Sequence, residues 1–148
     1  LNTYGEMKIS SEIRDFFDDM PRRLRHAHLV ICRGGASTIS EISALGVPSI
    51  IVPLPGSLDQ DQANNARDLA AAGAAELILQ KQFNAKDLAA ILNNWLDDKA
   101  RFDTMSTNAR RLAEPEATVR LARYAYCLAR RLPIQIDQPS SFLQGGRS

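Results

Sequence analysis

The chain has 148 residues, a formal net charge of +1 and 24% charged residues, which fits a single folded domain and excludes disorder of the whole chain. Its 45% hydrophobic content is enough for a real core, and nothing in the charge balance calls for nucleic acid or an anionic membrane as partner. Cys32 and Cys127 lie far apart with no metal-ligand spacing, which favours free thiols in a reducing compartment, and the longest apolar run, Pro48 to Pro55, is far too short to span a bilayer.

Short apolar runs alternate with longer amphipathic stretches, the pattern of an α/β protein with a parallel sheet. No signal peptide opens the chain, and a first residue Leu1 rather than Met is expected of a processed chain or of a piece of a longer one. Ile9 to Phe17 carries a weak strand signal ending at Asp18-Asp19. These carboxylates precede Pro21 and are expected to cap a helix over 21–27. His28 to Cys32 predicts a strand buried by its continuity, broken at Gly34-Gly35 and followed by a helix over 38–45 that Gly46 and Pro48 close. Ser49 to Val52 is the next buried strand. Pro53-Leu54-Pro55-Gly56-Ser57 cannot prolong it, because proline lacks a donor and fixes φ.

A loop therefore leads to a helix over 60–72, capped by Gly73, and Glu76 to Leu79 forms the last strand. Helices over 84–97, 99–113 and 116–131 follow, with apolar residues at three- and four-residue spacing. On the last of these, Leu121, Ala125, Leu128 and Leu132 share a side, with Arg120, Arg123, Arg130 and Arg131 around them. The arginines make either a solvated face or a contact with membrane or acceptor. The segment from Pro133 to Ser148, rich in Pro, Ser, Gln and Gly, is expected to be a mobile tail behind a domain of residues 1–132.

Two strand-to-helix loops carry the chemistry. In Cys32-Arg33-Gly34-Gly35-Ala36-Ser37-Thr38-Ile39-Ser40-Glu41, two glycines let the backbone turn and approach a ligand, and small residues open a helix. Its free N–H groups and positive dipole end suit an anion, with Ser37 and Thr38 adding hydroxyls and Arg33 a full charge for a diphosphate. The segment is neither a P-loop nor a Gly-x-Gly-x-x-Gly fingerprint, and such a turn can equally be structural. The spacing Thr38 to Glu41 also matches a capping box, which would make the glutamate part of the scaffold. The second loop runs from Pro53 to Gln62. In a parallel sheet both loops follow carboxyl ends of strands and share a rim, where Asp61 and Gln62 can reach sugar hydroxyls. The plain alternative is that Asp59 caps the following helix. His26 and His28 flank the start of a strand and are not expected to be catalytic.

These segments, in order and spacing, resemble the C-terminal half of the MurG family, the bacterial UDP-N-acetylglucosamine transferases of peptidoglycan synthesis. The similarity rests on Phe16-Phe17-Asp18-Asp19-Met20, Cys32 to Glu41, Gly46-Val47-Pro48, and the proline-rich loop with Gln62 and Asn65-Ala66; a weaker similarity reaches residue 130. The resemblance implies a Rossmann-like parallel sheet flanked by helices, one half of a GT-B glycosyltransferase. It implies that Phe17 meets uracil through its backbone and that Ala36, Ser37 and Thr38 hold the diphosphate. Glu41 takes the ribose hydroxyls, Asp61 and Gln62 the N-acetylglucosamine, and Arg33, Gly35, Ile39 and Ser40 complete the donor set. Gly34 stands where Ser or Ala is common in the family, a departure expected to be tolerated. Asp61 and Gly56 also depart from the family's usual residues.

The family's activity is inverting transfer from UDP-N-acetylglucosamine to undecaprenyl-diphospho-muramoyl-pentapeptide, by a peripheral enzyme on the cytoplasmic face of the inner membrane. Acceptor site and base belong to its N-terminal domain, of which the resemblance leads one to expect no segment here, and the start of the donor domain is expected to be missing as well. No catalytic residue, metal ion or organic cofactor is therefore expected in this chain, which on its own would be inactive. Two other readings are a donor subunit of another split GT-B UDP-sugar transferase and a non-catalytic nucleotide-sugar binding module. A glycine turn with no ligand is the structural alternative.

Overall fold

A computed structural model describes residues 3–57 and 60–134. Leu58, Asp59 and residues 135–148 lie outside them, so the expected Asp59 cap and nearly all of the expected tail fall outside the described residues. The elements run α1 (Thr3–Glu6), α2 (Met20–His26), β1 (Val30–Cys32), α3 (Ala36–Leu45), β2 (Ser49–Ile51), α4 (Asp61–Ala71) and β3 (Ala75–Leu77). A single 3₁₀ turn (Gln80–Gln82) follows, then α5 (Ala85–Leu96), α6 (Lys99–Arg111) and α7 (Ala117–Ala129).

The three strands form one parallel sheet in the order β1-β2-β3, with Ile50 opposite Ile31 on one side and Glu76 on the other. β2 is central, so every residue in it is buried. Its side chains alternate between the faces. Ile51 packs with Leu24, Ile42, Ala66 and Leu69 from α2, α3 and α4, whereas Ile50 and Val52 pack with Trp95 and Met105 from α5 and α6. The ring of Phe102 meets Trp95 edge-on, with centroids 5.9 Å apart. Helices thus cover both faces, the architecture of an α/β open sheet.

Turn chemistry ends α3 and α4 where the glycines predicted it. Gly46 and Gly73 both adopt φ +67°, and each bridges its helix end by a pair of backbone bonds: Val47 N–H to Ile42 O and Gly46 N–H to Ser43 O, Ala74 N–H to Leu69 O and Gly73 N–H to Ala70 O. The Asn84 side chain caps α5 by accepting from the Asp87 N–H.

Several expectations need correction. Residues 9–18 form no strand: no neighbouring strand pairs with them, and Ile9, Ile13 and Phe16 are exposed. β1 is not fully buried, because it forms one edge of the three-stranded sheet and Ile31 is 45% exposed. Asp19 occupies the N-cap position of α2 but makes no side-chain cap; its carboxylate accepts from Arg23 Nε at 2.6 Å. The charged partner one turn on competes for the oxygens that would otherwise bond the helix N–H groups. α3 starts at Ala36, two residues before Thr38, and the one-turn α1 and the 3₁₀ turn had no clear sequence signal.

The helices after β3 match their expected spans to within a few residues. α7 contains no buried residue, and Leu121, Leu128 and Leu132 are exposed. Among the described residues no helix is long and apolar enough to cross a membrane.

Candidate functional site

β1 and β2 both point their carboxyl ends at one rim, and the two loops predicted to carry the chemistry meet there. Gly35 is the N-cap of α3, in an extended conformation and with no side chain to cap the helix. The first intrahelical bond that reaches back to it is from the Ile39 N–H, 2.9 Å from Gly35 O. The amides of Ala36, Ser37 and Thr38 therefore have no partner among the described residues, as expected for the first turn of an uncapped helix. Three N–H groups and the positive end of a ten-residue helix converge on the rim. Ala36 and Ser37 are exposed and Thr38 is half-buried.

This start to α3 removes the capping box. With Gly35 as N-cap, Thr38 is the third helical residue, and Glu41 sits a further turn inside the helix. Glu41 is exposed, and among the described residues its carboxylate has no hydrogen bond or ion pair. Ser40 faces outward too, but its hydroxyl donates to Ala36 O at 3.0 Å, leaving it only as an acceptor for anything else. Ile39 has neither a free amide nor an exposed side chain, for it packs on the core beside Ile42; its contribution is to the scaffold of the site.

The second loop is fastened directly to the first. Asn65, on the first turns of α4, donates from Nδ2 to Gly34 O at 3.0 Å. Gly34 is buried, and a Cβ built on it would lie 2.2 Å from Gln62 O and 3.0 Å from the Gln62 carbonyl carbon. The backbones touch, so a side chain at position 34 would push the start of α4 away. Gly35, by contrast, has its nearest atom, Thr38 Oγ1, at 4.0 Å from such a Cβ. The Gln62 side chain folds back and accepts from Leu54 N–H at 3.0 Å, which leaves its amide NH₂ as the group able to donate outward. Asp61, the first residue of α4, is exposed beside it.

Arg33 lies at the end of β1. Its Nη1 donates to Gln80 Oε1 at 2.6 Å and Val52 O at 2.9 Å, with Pro53 O at 3.4 Å. Phe17 stands apart from this cluster. Its ring is stacked against the guanidinium of Arg23 at 4.0 Å and approached by Arg14 at 6.0 Å. The contacts described for it run to α2 and its preceding segment and not to the two rim loops.

Arg23 also bonds Glu12 at 2.7 Å, and this arginine holds the carboxyls of Glu12 and Asp19 below their ordinary values. Burial pushes the Cys32 thiol up, in keeping with a structural and unreactive cysteine. His26 and His28 are both exposed, away from the rim loops, at the amino end of β1. Asn65 and Gln80 are rim residues that the sequence pattern does not single out as part of the site. Asn65 had a signal, its place in the quoted motif; Gln80 had none.

The arrangement can bind an anion at the start of α3, with a carboxylate one turn along the helix and polar groups from a second loop opposite. Residues 1–121 match the model of the glycosyltransferase family 28 C-terminal domain. Over 126 residues the chain is 45% identical to a UDP-N-acetylglucosamine–N-acetylmuramyl-(pentapeptide) pyrophosphoryl-undecaprenol N-acetylglucosamine transferase of Sinorhizobium fredii, a match covering 85% of this chain and 34% of that protein. The like-named protein of Brucella canis is 38% identical over 144 residues, covering 97% of this chain and 37% of the relative. The crystal structure of Acinetobacter baumannii MurG superposes with a TM-score of 0.70 at 31% identity, over 84% of this chain and 36% of that one. The chain thus spans about a third of the length of the curated relatives it matches.

Proposed function

The chain belongs to the glycosyltransferase family 28 C-terminal domain family, and on that premise we propose that it is the donor-binding part of an enzyme transferring N-acetylglucosamine from UDP-N-acetylglucosamine to a lipid-linked muramoyl-pentapeptide acceptor. The observation that carries this reading is the uncapped start of α3. The amides of Ala36 to Thr38, without a partner among the described residues, face the rim at the positive end of a helix, and the second loop is bonded across to Gly34. A diphosphate fits that position because it supplies several acceptor oxygens and the negative charge the helix end favours.

In this reading the diphosphate bonds the amides of Ala36, Ser37 and Thr38, with the two hydroxyls as further donors and Gly35 allowing close approach. Glu41 accepts from the two ribose hydroxyls, a role suited to a carboxylate, which has two oxygens and makes charge-assisted bonds. Ser40 borders the same helix face. The sugar lies toward α4, where the Gln62 amide donates and the Asp61 carboxylate accepts. Phe17 offers its backbone to the base. The acceptor and the base that activates it come from outside this chain, in a parent enzyme peripherally bound at the cytoplasmic face of the inner membrane, so the chain alone binds the donor without transferring the sugar.

The test is titration of the 148-residue chain with UDP-N-acetylglucosamine, UDP-glucose and UDP, followed by amide NMR. Dissociation constants on the order of millimolar, with the largest shifts at residues 35–38 and a preference for UDP-N-acetylglucosamine over UDP-glucose, are expected. Shifts confined to other parts of the chain would refute the site. Transfer to a lipid-linked acceptor by this chain alone would refute the placement of the base elsewhere.

A further inference from the structure

Arg33 is the one full positive charge in the rim loop after β1, and a diphosphate is the obvious partner for it. The geometry points to a different role. We propose that Arg33 is a positioning residue, a strut that with Gln80 fixes the proline-rich loop whose far end reads the donor sugar. The inference rests on the donor reading above and assigns a selectivity role within it.

Residues 52–55 are short of hydrogen-bond donors. Pro53 and Pro55 have no N–H, so the loop leaving β2 has few donors with which to bond its own carbonyls. The Leu54 N–H is already given to Gln62 Oε1. Val52 and Pro53 are buried, and their carbonyls sit where the chain turns out of the sheet, beyond the last ladder bond. A buried carbonyl needs a donor, and Arg33 Nη1 supplies it, at 2.9 Å to Val52 O and with a longer approach of 3.4 Å to Pro53 O.

An Nη group has two hydrogens. One serves the Val52 and Pro53 carbonyls, and the other meets Gln80 Oε1 at 2.6 Å. That nitrogen is therefore fully engaged. Because Gln80 opens the 3₁₀ turn that follows β3, one side chain ties together the exits of all three strands.

The consequence passes down the loop. With its start held by Arg33, the loop presents Leu54 N–H to Gln62 Oε1, and this bond fixes the Gln62 carbonyl and leaves the NH₂ to donate elsewhere. Releasing the start frees Gln62 to rotate. The amides of residues 36–38, held by α3 itself, are untouched. Removal of the strut should therefore weaken recognition of the sugar and spare that of the nucleotide, whereas a direct contact between Arg33 and the diphosphate would weaken both together.

The experiment compares UDP with UDP-N-acetylglucosamine on wild type, Arg33→Gln, Arg33→Lys and Gln80→Ala by NMR titration, with amide exchange at Leu54 recorded without ligand. Expected are UDP affinities within about twofold of wild type in all variants. UDP-N-acetylglucosamine affinity should fall by about three- to tenfold in both Arg33 variants, the scale of one lost hydrogen bond or a little more, and by less in Gln80→Ala. Leu54 exchange should quicken in the same order. Lysine keeps the charge, but its ammonium ends one bond short of the position of Arg33 Nη1, so it should not rescue. A parallel loss of UDP affinity in Arg33→Gln that Arg33→Lys restores would overturn the proposal in favour of direct charge contact. An unaltered ratio of the two affinities in the Arg33 variants would overturn it too. Should Arg33→Gln fail to fold, Gln80→Ala, on an exposed turn, decides alone: no change in its affinity ratio refutes the strut. Failure of wild type to bind either ligand would instead sink the donor reading. Unaltered Leu54 exchange in the variants would then refute the strut independently.

Discussion

The bond from Asn65 Nδ2 to Gly34 O, 3.0 Å long, is the fastening between the two rim loops. Asn65→Ala removes the donor and leaves Gly34 O, in a buried residue, without another partner among the described residues. The cost of such an orphaned acceptor is about 1–3 kcal/mol. Asn65→Asp sharpens the test, because it keeps shape while reversing the electrostatics. At pH 7 a carboxylate oxygen would face the carbonyl oxygen, so this variant should be less stable than Asn65→Ala. Protonated, the same acid can donate to Gly34 O. Its folded-state pKa is thus raised above the unfolded value of about 3.9. The stabilising bond is present below that unfolded value and is lost as pH rises through the folded one. Urea unfolding followed by the fluorescence of the single tryptophan, the buried Trp95, reads both effects, with wild type as reference at each pH. Asn65→Asp should overtake Asn65→Ala between pH 7 and about pH 3.5. Asn65→Ala within about 0.3 kcal/mol of wild type, below the usual worth of a hydrogen bond, or two variants whose order never changes with pH, would refute the reasoning.

Other expectations follow from the same geometry. Glu41→Gln should leave stability within a few tenths of a kcal/mol, since no capping box forms, but weaken UDP by about 1.5–3 kcal/mol, the range for charged hydrogen bonds; titration that finds UDP affinity within a factor of two of wild type would return Glu41 to the scaffold. Gly46→Ala and Gly73→Ala both place a side chain at φ +67° and should each cost about 1–2 kcal/mol. Gly46→Ala should cost more, because its Cβ would lie 2.6 Å from Arg110 Nε and disturb the Arg110 bond to Leu45 O, whereas Gly73 meets only Asn108 Nδ2 at 3.1 Å. Thermal unfolding of the pair, with and without Arg110→Ala, isolates that excess as a coupling. Finally, Glu12 and Asp19 have pKa values lowered chiefly by their hydrogen bonds to Arg23. Their pairing therefore contributes above the ordinary carboxylate range and is lost as pH falls through the lowered values. In acid titrations Arg23→Gln should flatten this part of the stability profile, while an unchanged profile would show the exposed network to be without weight.

From α2 onward, the 3₁₀ turn apart, the sequence by itself determined the order of elements and the place of the rim. β2 was legible as a continuous apolar run between punctuating residues, and it is the fully buried central strand. Gly46 and Gly73 were legible as helix stops because a left-handed turn selects glycine, and both adopt it. The helices after β3 announced themselves by their period, and the two loops by small residues and prolines that no regular element accommodates. What the sequence could not decide were the outcomes of competition between partners distant along the chain. Asp19 looked like a cap, but Arg23 takes its carboxylate. Ile31 sat in an apolar run, yet an edge strand leaves it exposed. The segment before α2 had strand character, but a strand exists only where another backbone pairs with it. Thr38 and Glu41 had capping-box spacing, whereas α3 begins two residues earlier, with Gly35 as an extended N-cap whose lack of a side chain leaves the amides open. The close approach at Gly34 comes from the backbone of Gln62, 28 residues further along, and Gln80 enters the site through Arg33, 47 residues away. In each case local preference is worth a few tenths to about one kcal/mol, and a single tertiary hydrogen bond or buried contact is enough to override it.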